Sequence, residues 1–140
     1  MTKISEHFTL EEFTNSQTAK RLKIGNTPNE DAVANICVLV QKVLEPARQK
    51  FGKPIVISSG YRCPLLNKAV GGKKTSKHLY GCAADLQTRD EGDLQKLFDV
   101  LKEGEYDQLL FEKNKQGKRW IHVSYVVGKN RKMIDENYNA

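Results

Sequence analysis

The sequence predicts an α+β domain: a small antiparallel sheet with helices packed on one side. Two segments carry apolar residues at helical 3-4 spacing, four short apolar runs have strand character, and the two kinds follow one another in mixed order rather than as regular βαβ units. At 140 residues the chain is expected to form one domain, with its core within about residues 8–134.

The elements follow in order. "TLEE" (residues 9–12) has capping-box spacing and opens a short N-terminal helix. A polar loop is expected next, ending in the turn- and cap-rich "GNTPNED". Val33, Ile36, Cys37, Val40, Leu44 and Ala47 then mark one face of a helix that stops at Phe51-Gly52. Pro46 lies inside that pattern and cannot donate a helical hydrogen bond, so a kink or break is expected near Leu44. "PIVISS" reads as a buried strand, "GYRCPLLNKAVGG" as a turn and short helix ending at Gly71-Gly72, and "CAADL" as a second strand. Leu94, Leu97, Phe98 and Leu101 share the face of a second amphipathic helix. "DQLLFE" and "RWIHVSYVV", joined by the polar turn "KNKQGK", predict a hairpin, and "RKMI" an added edge strand.

Composition bounds the function. Hydrophobic residues make up 39% and charged residues 29%, as in ordinary globular proteins. No run is apolar enough to span a bilayer, and "MTKISEHFTLEEF" has no secretory h-region, so synthesis in the cytoplasm is expected. The net charge of +6, from 23 Lys and Arg against 17 Asp and Glu, favours polyanionic partners such as acidic wall polymers. The lysines are scattered, without a basic helix or aromatic–basic interleaving, so nucleic acid is not the expected partner. Cys37, Cys63 and Cys82 form no CxxC pair; all three are read as packing residues rather than disulfide or thiolate-metal groups.

The chemistry concentrates in "SKHLYGCAAD" and "RWIHVSY". Asp85 sits on an expected strand, where an inward carboxylate needs a cation or hydrogen bonds. His122 alternates with Ile121 and Val123, facing opposite to them, and His78 lies in a polar loop. Two imidazoles and a carboxylate suit zinc with a fourth position left for water, whose pKa zinc lowers to about 7. The spacing is less specific than HExxH, and on residues alone a metal site and separate structural roles both remain open.

"SSGYR", "SKHLYGCAAD" and "WIHVSY", in that order, resemble the signatures of the zinc D-alanyl-D-alanine carboxypeptidase family, which shares its fold with hedgehog-type domains and includes wall carboxypeptidases and phage endolysin peptidases. The resemblance runs from about Phe8 to Ile134, with "HFTLEEF" included. It implies zinc held by His78, Asp85 and His122, small residues Gly81 and Ala83 letting the loop turn into the strand, and Ser76 fixing the loop or contacting substrate. Arg62 matches an arginine that binds substrate and polarises the scissile carbonyl, a task suited to a guanidinium fork. Many relatives place an acidic residue three positions before the last histidine ligand; here that residue is Arg119, which cannot take a proton. The base is therefore expected from "DQLLFE": Glu112 first, opposite Trp120 in the hairpin, and Asp107 second. Tyr61, Gln108 and Tyr125 are further candidate substrate contacts, Trp120 a cleft wall or core residue, and His7 a surface residue.

The resemblance thus implies a monomeric zinc peptidase cutting peptidoglycan stem peptides, as a D-Ala-D-Ala carboxypeptidase or an endopeptidase of endolysin type. Zinc-bound water would attack the amide. Action at the cell wall after phage-mediated release fits the charge and the missing signal. The alternative is a zinc-containing wall-binding module that lost catalysis with Arg119.

Overall fold

The computed structural model describes residues 1–140. Two short helices lead in. Helix α1 (Glu11–Thr14) forms half of the expected capping box. The Glu12 carboxylate accepts from the Thr9 N–H at 2.7 Å, but the Thr9 hydroxyl donates to the same carboxylate instead of accepting from the helix. Helix α2 (Gln17–Leu22) occupies what the sequence reading assigns to a polar loop. Only Ala19 of it is buried, so it carries no apolar periodicity; its one local signal is Ser16, which accepts from the Ala19 N–H at 3.1 Å.

Helix α3 (Glu30–Leu39) begins at Asn29, whose side chain accepts from the Ala32 N–H at 2.8 Å, with Glu30 and Asp31 in the favourable first turn. The expected break is a π-helical segment, Val40–Leu44, followed by α4 (Glu45–Phe51). Pro46 has no N–H for the ladder, and the preceding Glu45 N–H reaches back five residues to the Val40 carbonyl. Leu39 and Val43 join Ile36, Val40 and Leu44 in the core, at the same 3-4 spacing, while Val33 and Cys37 are half-buried. Helix α5 (Pro64–Ala69) has Pro64 in its first turn, and α6 (Leu94–Lys102) buries Leu94, Leu97, Phe98 and Leu101 as its periodicity predicts.

Five strands form one sheet in the order β1-β2-β4-β3-β5: β1 Ile55–Ser59, β2 Ala83–Thr88, β3 Gln108–Lys113, β4 Arg119–Ser124 and β5 Met133–Asn139. Four are antiparallel, and the β3–β4 hairpin has the expected register, Glu112 opposite Trp120. The fifth corrects the expectation of an all-antiparallel sheet. The loop after β4 carries the chain back across the sheet end, so β5 runs parallel to β3; it begins within "RKMI", at Met133, and continues to Asn139.

Alternation gives the sheet two faces. Ala84, Leu86, Leu109, Phe111, Ile121 and Val123 face the helices and form one core with α3, α4 and α6; Phe98 stacks on Phe111 with ring centroids 5.0 Å apart. Arg119 shares the Phe111 side, its guanidinium lying 3.6 Å from that ring's centroid. The other face carries Asp85, Gln108, Leu110, Glu112, Trp120 and His122 along an open cleft.

Candidate metal centre

Each residue of the centre is set by a different local device. The 3-10 turn Lys77–Tyr80 holds His78 at 3% exposure, and Ser76 caps it by accepting from the His78 N–H at 3.2 Å. The turn closes at Gly81, which adopts φ 75°; a β-carbon there would also collide with the Ala32 carbonyl of α3. The His78 Nδ1 lies 2.7 Å from the Gly60 carbonyl, an acceptor only, so Nδ1 carries the proton and Nε2 presents its lone pair inward. Asp85 and His122 are direct cross-strand partners on β2 and β4.

The three groups meet at one carboxylate oxygen. Asp85 Oδ1 lies 3.3 Å from His78 Nε2 and 3.0 Å from His122 Nδ1. A zinc ion with bonds of about 2.0–2.1 Å in tetrahedral geometry needs its ligand atoms roughly 3.3 Å apart, so the spacing and the two-imidazole, one-carboxylate donor set fit such an ion. Burial alone would raise the Asp85 carboxyl, but its close contacts with the His122 and His78 rings outweigh it and hold the group well below the usual carboxylate range. Asp85 is therefore an anion ready to ligate.

Around this centre lies a cleft of about 710 Å³. Arg62 enters it from the β1–α5 turn with its fork already aimed: Nε donates to Ser59 Oγ at 3.1 Å, Nη1 to Asn67 Oδ1 at 3.2 Å, and Nη2 lies 3.5 Å from Asp85 Oδ2. Glu112 Oε2 lies 4.0 Å from His122 Nδ1. Burial pushes the Glu112 carboxyl upward, the negative Asp85 adds to this, and His122 and Arg62 pull against it; the net shift is upward.

Of the remaining expected site residues, Ser76 and Gln108 line the cleft, and Trp120 forms part of its wall. Asp107, Tyr61 and Tyr125 are not brought there. Asp107 lies just before β3, 2% exposed and outside the cleft lining, where Arg131 Nε and Nη2 donate to it at 2.8 and 2.9 Å. Tyr61 is buried in the core, its N–H bonded to the Phe13 carbonyl, and Tyr125 packs at the core margin. Sequence reasoning missed Lys73, Lys77, Leu110, Arg131 and Tyr138, all of which line the cleft. "GGKKTSK" abuts the first histidine motif, which was the available signal for the lysines; Arg131 and Tyr138 arrive only through the path of β5.

One face of the sheet is packed into the core, and the other brings His78, Asp85 and His122 close enough to hold one metal ion, with Glu112 and Arg62 beside them in the cleft. The chain belongs to the peptidase M15 family, whose profile matches residues 6–124. Over 69 residues it is 39% identical to the zinc D-Ala-D-Ala carboxypeptidase of Streptomyces albus G, a stretch covering 49% of this chain and 27% of that protein. No helix of the structure is long and apolar enough to cross a membrane.

Proposed function

We propose that this chain is a zinc-dependent peptidase that hydrolyses a peptide bond in peptidoglycan stem peptides, with His78, Asp85 and His122 as the metal ligands. The observation that carries the reading is the meeting of His78, Asp85 and His122 within one ion's reach, with Glu112 beside them. The family and the name of the Streptomyces relative support the choice of metal and substrate. When bound, zinc supplies Lewis acidity, lowering the pKa of a water and polarising the carbonyl.

The chain's own residues do the rest. Glu112 takes the proton from water at its carboxylate and delivers it to the leaving amine, and the upward shift of its carboxyl makes it a stronger base than an ordinary carboxylate. Arg62, fixed by Ser59 and Asn67, offers its Nη2 to the oxyanion or to a substrate carboxylate. Ser76 holds the His78 turn, Gln108 and Trp120 contact the peptide, and the +6 net charge draws the domain to an acidic wall polymer. Arg119 does not argue for a lost activity in this reading, because it belongs to the Phe111 face and Glu112 takes the role of the acid.

The test pairs metal content with cleavage of a peptide ending in D-Ala-D-Ala and of a cross-linked stem peptide, read by mass spectrometry. Wild type should carry one zinc and cut one of them; His122→Ala should lose the metal; Glu112→Gln should keep it and lose about 10²–10⁴-fold in rate. Fully loaded wild type that cuts neither peptide would overturn the proposal.

A further inference from the structure

The cleft does not end at the metal centre. A second groove of about 530 Å³ lies beside it, and the two share Lys77 and Arg131 as lining residues. Lys129, Asn130 and Asp107 complete its polar surface. The sign of its charge is set by which of these groups are already paired. Arg131 is neutralised by its two-pronged pair with Asp107, the one acid of the groove. Lys77 and Lys129 form no ion pair with any carboxylate, although Lys77 is close enough to Asp107 to lower its pKa.

The groove is built rather than improvised by loose side chains. The Arg131 N–H also donates to Asp107 at 3.2 Å, the Val126 N–H to the Asn130 side chain at 2.9 Å, and the Lys129 N–H to the Val126 carbonyl at 3.0 Å. Gly128 and Lys132 sit at positive φ, closing the loop that presents Lys129. Lys77 is fixed at its root by the same turn that holds His78. Two unpaired ammonium groups on a preformed surface next to a reaction centre attract an anion, and the anion that joins both grooves belongs to one extended ligand.

We propose that Lys77 and Lys129 form an anion subsite that selects peptides carrying a second carboxylate, set apart from the scissile bond. The proposal rests on the peptidase reading of the metal centre and adds to it: Arg62 grips the acid or carbonyl at the reacting end, and the lysines grip a carboxylate further along the chain. Segment 126–132, which supplies Lys129, lies beyond residues 6–124, the stretch matched by the family profile, while Lys77 lies within it.

Two stem-type peptides identical except for one internal carboxylate, free in one and a carboxamide in the other, are titrated by calorimetry into zinc-loaded Glu112→Gln protein, which binds without turnover. The acid form should bind about tenfold tighter, the scale of one charge-assisted hydrogen bond, and the preference should shrink as sodium chloride is raised. In the added Lys77→Gln, Lys129→Gln double variant, the two peptides should bind within about twofold of each other, since the ammonium groups are gone. Equal binding of the two peptides to the parent protein, or a salt-insensitive preference, overturns the subsite without recourse to the double variant. A preference that survives the double substitution overturns it as well. Wild type that binds with the acid preference yet cleaves neither peptide sinks the peptidase reading and leaves the subsite standing.

Discussion

His78 shows how much of the centre depends on a backbone atom. Its tautomer is fixed by the Gly60 carbonyl, and Gly60 can sit there only because it has no side chain: a β-carbon would collide with the Phe13 backbone. Gly60→Ala must therefore push the β1–α5 turn away from α1 and shift the acceptor of His78. Zinc affinity, measured by competition with a chelator, should fall roughly 10–100-fold, as for the loss of other outer-shell partners of metal ligands. Unchanged affinity would show that the His78 ring is held by its own turn alone. Arg119 teaches the complementary point. Three positions before His122 on a strand is the opposite face, so its guanidinium lies over Phe111, with Nε buried and lacking a partner and Nη2 near the Glu136 carbonyl at 3.4 Å.

Among the elements, β5 depends most on a single side chain. Its residues are largely exposed and polar, and the ladder to β3 breaks register between Leu110 and Glu112, so apolar burial contributes little to holding it. What fixes its approach is Asp107, which receives three hydrogen bonds from Arg131, while Met133 and Lys132 donate to the carbonyls of Asp107 and Tyr106. Asp107→Asn keeps the shape but removes the charge that Arg131 pairs with. It should destabilise the domain by about 2 kcal/mol in urea titrations, the range for hydrogen bonds to a charged group. It should also loosen 126–139 first, seen as faster amide exchange in β5 than in β4. Exchange that rises uniformly across the sheet would refute a local role. The π segment Val40–Leu44 is the other element with a single cause, since Pro46 removes one donor and the helix absorbs the loss with a wider turn.

At the scale of the molecule, acid sensitivity follows from where the carboxylates are tied. Glu45 joins the N-terminal segment to α4; burial would raise its carboxyl, but hydrogen bonds from Ser5, His7 and Gln49 hold it at about 2. Asp107 is likewise lowered, by Arg131 first. Both folded values lie below the unfolded ones, so the unfolded chain binds protons more readily as pH falls. Their stabilisation is complete above the ordinary carboxylate values and drains away between about pH 5 and about pH 2. Glu112 works with the opposite sign: its raised carboxyl makes ionisation costly in the metal-free fold, and protonation on acidification relieves that cost. Melting temperatures taken with a chelator present should fall across that acid window, because the lowered groups dominate. A flat profile would mean that these carboxylates are no more tied in the fold than in the unfolded chain.

The sequence by itself determined the α+β class, the core face of α6, the β3–β4 hairpin and its register, the interruption at Pro46, and the motifs that carry His78, Asp85, His122 and Arg62. Each of these is written in local periodicity, a single proline, or a short motif whose residues lie close in the chain. The order of the strands, the parallel placement of β5, the removal of Asp107 and Tyr61 from the cleft, and the entry of Lys77, Arg131 and Tyr138 into it were decided only by the tertiary structure. Alternation says that Leu109 and Glu112 lie on opposite faces of β3, but not which face is packed. That choice belongs to α6 and the core cluster, which take Leu109 and Phe111 and so leave Leu110 and Glu112 to line the cleft. Contacts between residues far apart in the chain depend on which surfaces the core leaves uncovered, and no short stretch of sequence contains that information.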